Sequence, residues 1–443
     1  MKTPIVDFVE SYEKKEAVRL HMPGHKGKAF LGFEKADITE INGADVLYSP
    51  DGIIEESENN ASSLFGTRHT FYSTEGSSLC IRAMLFLACQ KEERPLILAS
   101  RNVHKAFIYA AALCNCEVSW IFSKETSHLC SCEISEEDVR KAIEKADRKP
   151  SAVYVTSPDY LGNILDIKST STVCGEYGVP LLVDNAHGAY LNFLPENQHP
   201  IHLGASMCCD SAHKTLPVLT GGAYMHISEN APEHFCSNAR SALSLFASTS
   251  PSYILLQSLD MCNAYISAGY KERLSETIVR VDFLKEFLKE KGFCLIGKEK
   301  LKITVDALSY GYTGNELYEI LKNENIFCEF YDRDFLVMMF TPENSAEEFQ
   351  RIRSAFACIE KRVPIDSEKL QLREKPTKAL SIREAVFSSS ETVKTENSIG
   401  RICASVTVSC PPAVPISVSG EIITEETVKL LKYYNINKIE VIK

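Results

Sequence analysis

Two residues with complementary chemistry follow apolar runs of the chain. Asp184 closes the run at 179–183, and Lys214 lies 30 residues later in Asp210-Ser211-Ala212-His213-Lys214-Thr215. If both apolar runs are buried strands of one sheet, the residues that follow them can face a single crevice. A lysine amine there can form a Schiff base, and a carboxylate can keep a pyridinium nitrogen protonated, as pyridoxal phosphate (PLP) requires. The pair therefore predicts a PLP enzyme.

A phosphate-binding segment is predicted earlier in the chain. Gly76, Ser77 and Ser78 open an apolar helical pattern at 79–89. A glycine lets the backbone approach an anion, and the two hydroxyls add donors where the helix dipole already favours negative charge. An ordinary helix N-cap has the same composition, so the functional interpretation depends on Lys214.

Further side chains are candidates for holding the coenzyme. His104 follows the strand predicted at 95–99 and could stack on the ring, or it could be an ordinary surface-loop histidine. Ala186 is small enough to lie flat against the ring, and His187 could reach the ring oxygen or the substrate. Ser211 and His213 are placed to contact the phosphate. For Asp184 the alternative is an aspartate that caps the next helix.

Cysteine spacing does not predict a metal site. The pairs Cys114/Cys116 and Cys130/Cys132 lack the two-residue gap of a zinc knuckle and have no accompanying histidine pattern. Sixteen cysteines in a chain without a recognisable signal peptide instead indicate reduced thiols and a cytoplasmic location.

Composition indicates a globular protein of two or three domains. The chain has 443 residues, of which 44% are hydrophobic and 24% charged, and no apolar run is long enough to cross a membrane. A net charge of −11 argues against nucleic acid as a partner, because phosphate binding needs clustered cations.

The elements that would position the candidate residues change in character along the chain. Up to about residue 230, apolar runs alternate with helical patterns, which predicts strands buried on both faces of a mostly parallel sheet. These runs lie at 95–99, 118–122, 152–156, 181–183 and 222–227. Beyond about residue 266 a smaller α+β unit is predicted. It begins with a long helix, whose apolar face runs from Leu274 to Leu288 and which ends near Gly292, and it continues with helices at 316–322 and 345–361 and strands at 301–305, 327–331 and 335–340. A polar linker at 364–378 leads to a third segment, so the predicted division is 1–45, 46–265, 266–363 and 364–443.

Taken together, these motifs resemble the Orn/Lys/Arg decarboxylases of the fold-type-I, aspartate aminotransferase-like PLP enzymes. The most distinctive is residues 19–27, whose core reads His-Met-Pro-Gly-His-Lys-Gly. Other matching segments are 156–162, 248–253, 381–385 and the prolines Pro411, Pro412 and Pro415.

The resemblance implies a fold and a set of roles. The fold is α/β, with a PLP-binding large domain built on a mostly parallel seven-stranded sheet, a smaller α+β domain and a C-terminal domain. Catalytic roles fall to Lys214, Asp184, His104 and His187, and contacts to the coenzyme to Gly76, Ser77, Ser78, Ala186, Ser211 and His213. The chain resembles the short, wingless branch, which implies a homodimer or a higher homo-oligomer with a shared active site, and a role in polyamine biosynthesis.

Several positions depart from the family pattern. Glu75 stands where the family usually has Asn, Asp159 replaces Thr, and Tyr190 replaces His. A Gln normally follows Thr220, where this chain has Gly221 and Gly222, and Asp184 is followed by Asn185. We expect α-decarboxylation of a basic L-amino acid, with arginine slightly favoured over lysine or ornithine. An aminotransferase or aldolase on the same scaffold is one alternative, and a PLP-binding homologue that has lost catalysis is another.

Overall fold

The computed structural model describes residues 1–122, 131–366, 376–405 and 415–443. The α-helices are α1 (Pro4–Lys14), α2 (Ile53–Phe65), α3 (Gly76–Cys89), α4 (Lys105–Cys114), α5 (Glu136–Lys145), α6 (Ile167–Glu176), α7 (Ala212–Thr215), α8 (Glu233–Ser237), α9 (Ala239–Phe246), α10 (Tyr253–Ser267), α11 (Tyr270–Glu290), α12 (Gly314–Asn323), α13 (Ala346–Ala357), α14 (Ile382–Phe387) and α15 (Glu425–Tyr433). The strands are β1 (His69–Ser73), β2 (Leu96–Ser100), β3 (Glu117–Ile121), β4 (Ala152–Thr156), β5 (Leu181–Asp184), β6 (Met207–Asp210), β7 (Ala223–Ile227), β8 (Cys294–Ile296), β9 (Lys302–Asp306), β10 (Phe330–Tyr331), β11 (Phe335–Met339), β12 (Ser390–Lys394) and β13 (Lys438–Ile442).

A seven-stranded sheet carries the strands predicted from the first half of the chain. Its order is β1-β7-β6-β5-β4-β2-β3. The pairs β5/β6 and β2/β3 are parallel, whereas β7 runs antiparallel to both β6 and β1. The α/β class and the mostly parallel sheet are therefore confirmed.

The burial of these strands follows their position in the sheet. Every residue of β2, β5, β6 and β7 is buried, as expected for strands covered on both faces. The prediction of burial on both faces was wrong for β3, in which Glu117 and Ser119 are exposed, whereas Val118 and Ile121 are buried. The reason is that β3 lies at the edge of the sheet, where one face is less covered.

The residues divide into two compact units. The first consists of Met1–Glu93, Ser151–Val153 and Ile167–Glu272. One buried carboxylate joins segments of this unit that are distant in sequence. Asp260 accepts hydrogen bonds from the backbone N–H groups of Ile5 and Val6 and from the Ser57 hydroxyl. Burial raises the pKa of Asp260 to about 6. These bonds fix the start of α1 against α10 and α2.

The second unit consists of Arg94–Pro150, Tyr154–Asp166 and Arg273–Lys443. It contains an antiparallel sheet of order β10-β11-β9-β8, whose apolar face packs with α11, α12 and α13. The predicted strands at 301–305 and 335–340 are close to β9 and β11. The strand predicted at 327–331 is reduced to Phe330–Tyr331, and Phe327 is 71% exposed, so no burial holds the residues before β10 in a strand.

The C-terminal residues of the second unit form a separate small core. Strands β12 and β13 pair antiparallel, and α15 packs on them through Leu430 and Leu431. Arg101 donates from Nη1 and Nη2 to the two carboxylate oxygens of Glu421, at 2.6 and 2.8 Å. The Arg101 guanidinium also lies 4.9 Å from the ring centre of Trp120. This buried ion pair joins the residue after β2 to the C-terminal segment.

The ion pair leads to a stability prediction. Glu421→Ala leaves the buried Arg101 guanidinium without its counter-charge and lowers the free energy of unfolding by about 3–5 kcal/mol, measured by urea denaturation. Glu319→Ala, which breaks the exposed pair with Lys322, is the control and changes stability by less than about 1 kcal/mol. Equal, small effects of the two substitutions would contradict the structural importance of Arg101–Glu421.

Candidate active site

The ends of β5 and β6 bring the two key predicted residues into one region of the first unit. The strands are parallel neighbours, and Asp184 is in register with Cys209. The pairing continues one residue further, where the N–H of Asn185 donates to the Cys209 carbonyl at 3.0 Å. The chain then forms a loop after Asp184 and the short helix α7 after Ser211. Because β5 and β6 are parallel, the side chains that follow them lie at the same edge of the sheet.

Lys214 and His187 are in direct contact. The Lys214 Nζ lies 3.0 Å from His187 Nε2, and both side chains are shielded from solvent to a large extent. The ammonium form of the lysine can donate to the imidazole lone pair, and an imidazolium can donate back to a neutral amine. The two groups can therefore share a proton, which is the arrangement that acid–base chemistry at a lysine needs.

Asp184 is buried at the end of β5, with 3% of its surface exposed. Its Oδ1 accepts from the N–H of Ala186 at 3.2 Å and from the Cys209 thiol at 3.7 Å. Burial raises the pKa of the Cys209 thiol well above its usual range, and the nearby Asp184 charge raises it further. The thiol therefore stays protonated and donates to the carboxylate, while Ala186 places a small side chain beside it.

The predicted phosphate segment forms the start of α3. Gly76 has a φ of +69°, and a Cβ on it would meet no atom within 4 Å. Its N–H donates to the Gly221 carbonyl at 2.7 Å, so this amide is not a donor for an anion. The Ser77 hydroxyl accepts from the Ser211 hydroxyl at 2.8 Å, and Ser78 lies on the same first turn. The structure thus brings Ser77 and Ser211 together beside open space.

His213 is held by the loop after α7. Its Nδ1 donates to the Gly222 carbonyl at 3.0 Å. The backbone of Gly222 is closely packed, since a Cβ there would lie 2.3 Å from Cγ1 of Val218. The hydroxyl of Thr215 is buried and has no hydrogen-bond partner among the described residues.

His104 belongs to the second unit. It is the N-cap of α4, and its Nδ1 accepts from the Ala106 N–H at 3.2 Å. Its side chain is exposed. A role for His104 at the coenzyme ring stays a prediction.

The cysteine pairs have no metal-site geometry that can be described. Cys116 and Cys132 are buried, whereas Cys114 is partly exposed. Cys130, like Pro411 and Pro412 of the predicted C-terminal motif, lies outside the described residues.

Sequence reasoning missed a buried polar cluster beneath the site. Asp210, the residue before Ser211, has no exposed surface and contacts His199, His226 and Asn185. A polar residue ending an apolar strand was the available signal, but its partners are distant in sequence.

Comparisons with known proteins match nearly the whole chain. Residues 3–300 match the major domain of the Orn/Lys/Arg decarboxylases, and residues 366–440 match their C-terminal domain. The chain belongs to the Orn/Lys/Arg decarboxylase family. This confirms the predicted resemblance and places the protein among the carbon–carbon lyases that act on basic amino acids.

Individual relatives agree with the family assignment. The arginine decarboxylase of Bacillus subtilis is 29% identical over 462 residues, which cover 97% of this chain and 93% of the relative. The lysine decarboxylase of Francisella novicida has the same fold, with a TM-score of 0.82 at 16% identity, covering 100% of this chain and 81% of that one. A structure named as SPT with PLP shares the fold over 68% of this chain and 75% of its own, at a TM-score of 0.54 and 14% identity.

Two departures from the family pattern have structural explanations. The Glu75 carboxylate accepts from the backbone N–H of Ser248 at 2.6 Å, so it joins the start of α3 to the segment at 248–253. Asp159 accepts from the backbone N–H and the side-chain amide of Asn163, at 2.8 and 2.9 Å. Burial raises the pKa of Asp159, and the Asn163 hydrogen bonds counteract that effect. Each carboxylate thus has its own partner within the fold.

The open space beside Gly76 generates a binding prediction. Gly76→Ala places a methyl group in the space predicted for the phosphate and weakens PLP binding by at least about tenfold, measured by coenzyme titration. Gly66→Ala is the matched control, because Gly66 also has a positive φ, of 65°, and open space at Cβ. Both substitutions carry the same backbone strain of about 1–2 kcal/mol. Equal coenzyme affinities of the two variants would place the phosphate elsewhere.

Proposed function

We propose that this chain is a PLP-dependent α-decarboxylase of a basic L-amino acid, with arginine as its first substrate. The observation that carries the proposal is the 3.0 Å contact of Lys214 Nζ with His187 Nε2, in the loops that follow Asp184 and Asp210. The full-length similarity to a Bacillus arginine decarboxylase supports arginine over lysine and ornithine.

The residues present fit PLP. The coenzyme needs an amine, a buried carboxylate and a phosphate cradle, and these correspond to Lys214, Asp184 and the first turn of α3. Two features would suit a phosphate: the open space at the Gly76 Cβ position, and the buried Thr215 hydroxyl, which has no hydrogen-bond partner in the part of the chain that the structure describes. Ser77, Ser78, Ser211 and His213 would supply further contacts, and Ala186 would lie against the ring.

The bound coenzyme would supply an electron sink for the carbanion left when carbon dioxide departs. Asp184 would keep the pyridinium nitrogen protonated, and its buried site strengthens that charge interaction because water is excluded. Lys214 would hold the coenzyme and be displaced by the amine of the substrate.

Proton transfer to the substrate carbon would fall to the Lys214–His187 pair. The Lys214 amine lies 3.0 Å from His187 Nε2, so the pair would be able to pass a proton to the carbon that lost the carboxylate. His104 would contribute from the ring face.

The same proposal includes a homodimer in which the active site is shared. Large apolar side chains near the N-terminal signature are exposed in the first unit: Val18, Leu20, Phe30 and Leu31 are 86%, 89%, 79% and 78% exposed. Exposed clusters of this kind mark interfaces between chains. A second copy that covers this segment would bury these side chains.

Location and pathway complete the proposal. Among the described residues no helix has the length and apolar character needed to cross a membrane. The cysteines of the described residues are free thiols, as expected in the cytoplasm. The amine product would enter polyamine biosynthesis.

The activity is tested with purified protein and added PLP. Incubation with arginine, lysine and ornithine in turn releases agmatine most rapidly, with cadaverine or putrescine slower. Lys214→Ala abolishes amine release because it removes the amine that would hold the coenzyme, whereas Lys168→Ala, on the exposed face of α6, leaves the rate unchanged. Release of none of the three amines, or full activity of Lys214→Ala, would refute the proposal.

The dimer is tested by sedimentation. The unmodified chain sediments as a dimer, and Leu20→Asp shifts it toward the monomer and lowers amine release, because a charge replaces an apolar contact in the buried interface. Phe283→Asp, at a side chain of α11 that is 73% exposed, is the control and leaves the dimer intact. A monomeric unmodified chain, or a Leu20→Asp dimer of full activity, would contradict this part of the proposal.

A further inference from the structure

We propose that Asn185 and Asp210 form a positioning pair that fixes the Asp184–His187 loop relative to the Lys214 helix. The inference rests on the proposed function and adds a role for a buried cluster outside the predicted site. Neither residue is assigned a contact with the coenzyme or substrate. Both act through the neighbouring side chains that follow them in the chain.

The pair directly connects the ends of two strands. Asn185 is the residue after β5 and Asp210 is the last residue of β6. The Asn185 side-chain amide donates to Asp210 Oδ1 at 2.7 Å, and neither residue has exposed surface. This is a side-chain bond across the site where the two backbones separate to form their loops. It lies one residue from Asp184 on one strand and one residue from Ser211 on the other.

Asp210 is held in place by further donors. Its Oδ2 accepts from Nε2 of His199 at 3.1 Å and from Nε2 of His226 at 3.2 Å. Nδ1 of His226 contacts the Thr70 hydroxyl at 2.8 Å, which extends the cluster to β1. Burial opposes ionisation of Asp210, but the two imidazoles keep its pKa below the usual range. Burial lowers the pKa of His226, which favours the neutral imidazole as a donor to the Asp210 carboxylate.

The side chain of Asn185 is constrained by close packing against its own loop. A Cβ on Gly188 would lie 2.0 Å from Asn185 Oδ1, so the amide is packed against the backbone of its own loop. The N–H of Gly188 also donates to the Asn185 carbonyl at 2.7 Å. Because His187 lies within this turn, the position of its ring follows that of Asn185. The 3.0 Å separation of His187 and Lys214 is therefore set in part by the bond to Asp210.

A metal ion is the competing explanation for this cluster. His199, Cys208 and Asp210 offer ligand atoms within 4.8 Å of one another. However, Asp210 already accepts hydrogen bonds from Asn185, His199 and His226, and a metal bound at Nε2 of His199 would require that nitrogen to lose the proton that it donates. The hydrogen-bonded arrangement satisfies the carboxylate without an ion, so we favour positioning.

The experiment exchanges the two side chains. Asn185→Asp sets two carboxylates against each other, and the double variant Asn185→Asp with Asp210→Asn restores the bond with donor and acceptor reversed. The single variant lowers kcat at least about tenfold with a smaller change in KM, because the coenzyme-holding groups move out of register. It also changes the circular dichroism of bound PLP, and the double variant recovers both signals.

Two further variants keep the test decisive. Asn263→Asp is the control, since Asn263 is equally buried and donates to the Ser57 carbonyl and the Tyr72 hydroxyl, away from this cluster. It lowers thermal stability without changing the coenzyme signal. If the Asn185→Asp protein does not fold, Asn185→Ala takes its place, because it removes the hydrogen bond to Asp210 without adding a charge. The kcat of His199→Ala and of His226→Ala is then compared with that of Asn185→Ala.

The outcomes separate this inference from the proposed function. An unmodified chain that shows no coenzyme signal or releases no amine refutes the proposed function itself. If that chain is active, the inference is overturned when Asn185→Asp and Asn185→Ala lose only stability, as the control does, or when the double variant recovers nothing. Stoichiometric zinc in the purified protein, removed by a chelator together with the coenzyme signal, would also overturn it in favour of a metal site.

Discussion

The parallel pairing of β5 and β6 is the constraint on which the candidate active site depends. Hydrogen bonds between these strands are formed by backbone groups that cannot be left unpaired in a buried sheet, so the register is fixed. That register places Asp184 beside Cys209 and sends the Lys214 segment out on the same side. Two residues 30 positions apart thereby lie close enough for their loops to meet. The catalytic groups could not be brought together by local structure alone.

Departures from the family pattern make sense as parts of this arrangement. Glu75 and Asp159 are satisfied by the N–H of Ser248 and by Asn163, and Gly222 fits a backbone packed against Val218. Tyr190 is fully buried. In the cluster of Asn185 and Asp210, one carboxylate likewise forms hydrogen bonds that connect the two strand ends, two histidines and the side-chain amide of the loop. These residues are explained by packing and hydrogen bonding, so none of them requires a loss of activity.

The sequence predicted the central strands of the large sheet well, but it predicted the edge strand β3 and the strand at 327–331 less well. Continuous apolar runs correspond to β2, β4, β5 and β7, because strands covered on both faces need no polar alternation. Strand β3 was misjudged because its pattern matches a strand with one covered face, and the first residues at 327–331 are not in a strand. Residue types and positions after apolar runs nominated the site residues, and the resemblance gave them roles, but spacing cannot show that Lys214 and His187 are 3.0 Å apart.

The buried cluster around Asp210 shows why part of the site could not be predicted from the sequence. His199, Asp210 and His226 are far apart in the chain, and each looks like a residue of a polar loop or strand end until the sheet folds. The central claim is that Lys214 forms the Schiff base with PLP. The most direct measurement is to reduce the PLP-loaded protein with borohydride and to identify the labelled peptide. The account predicts that the label lies on Lys214. A label on another lysine, or no label on a protein that releases amine, would contradict it.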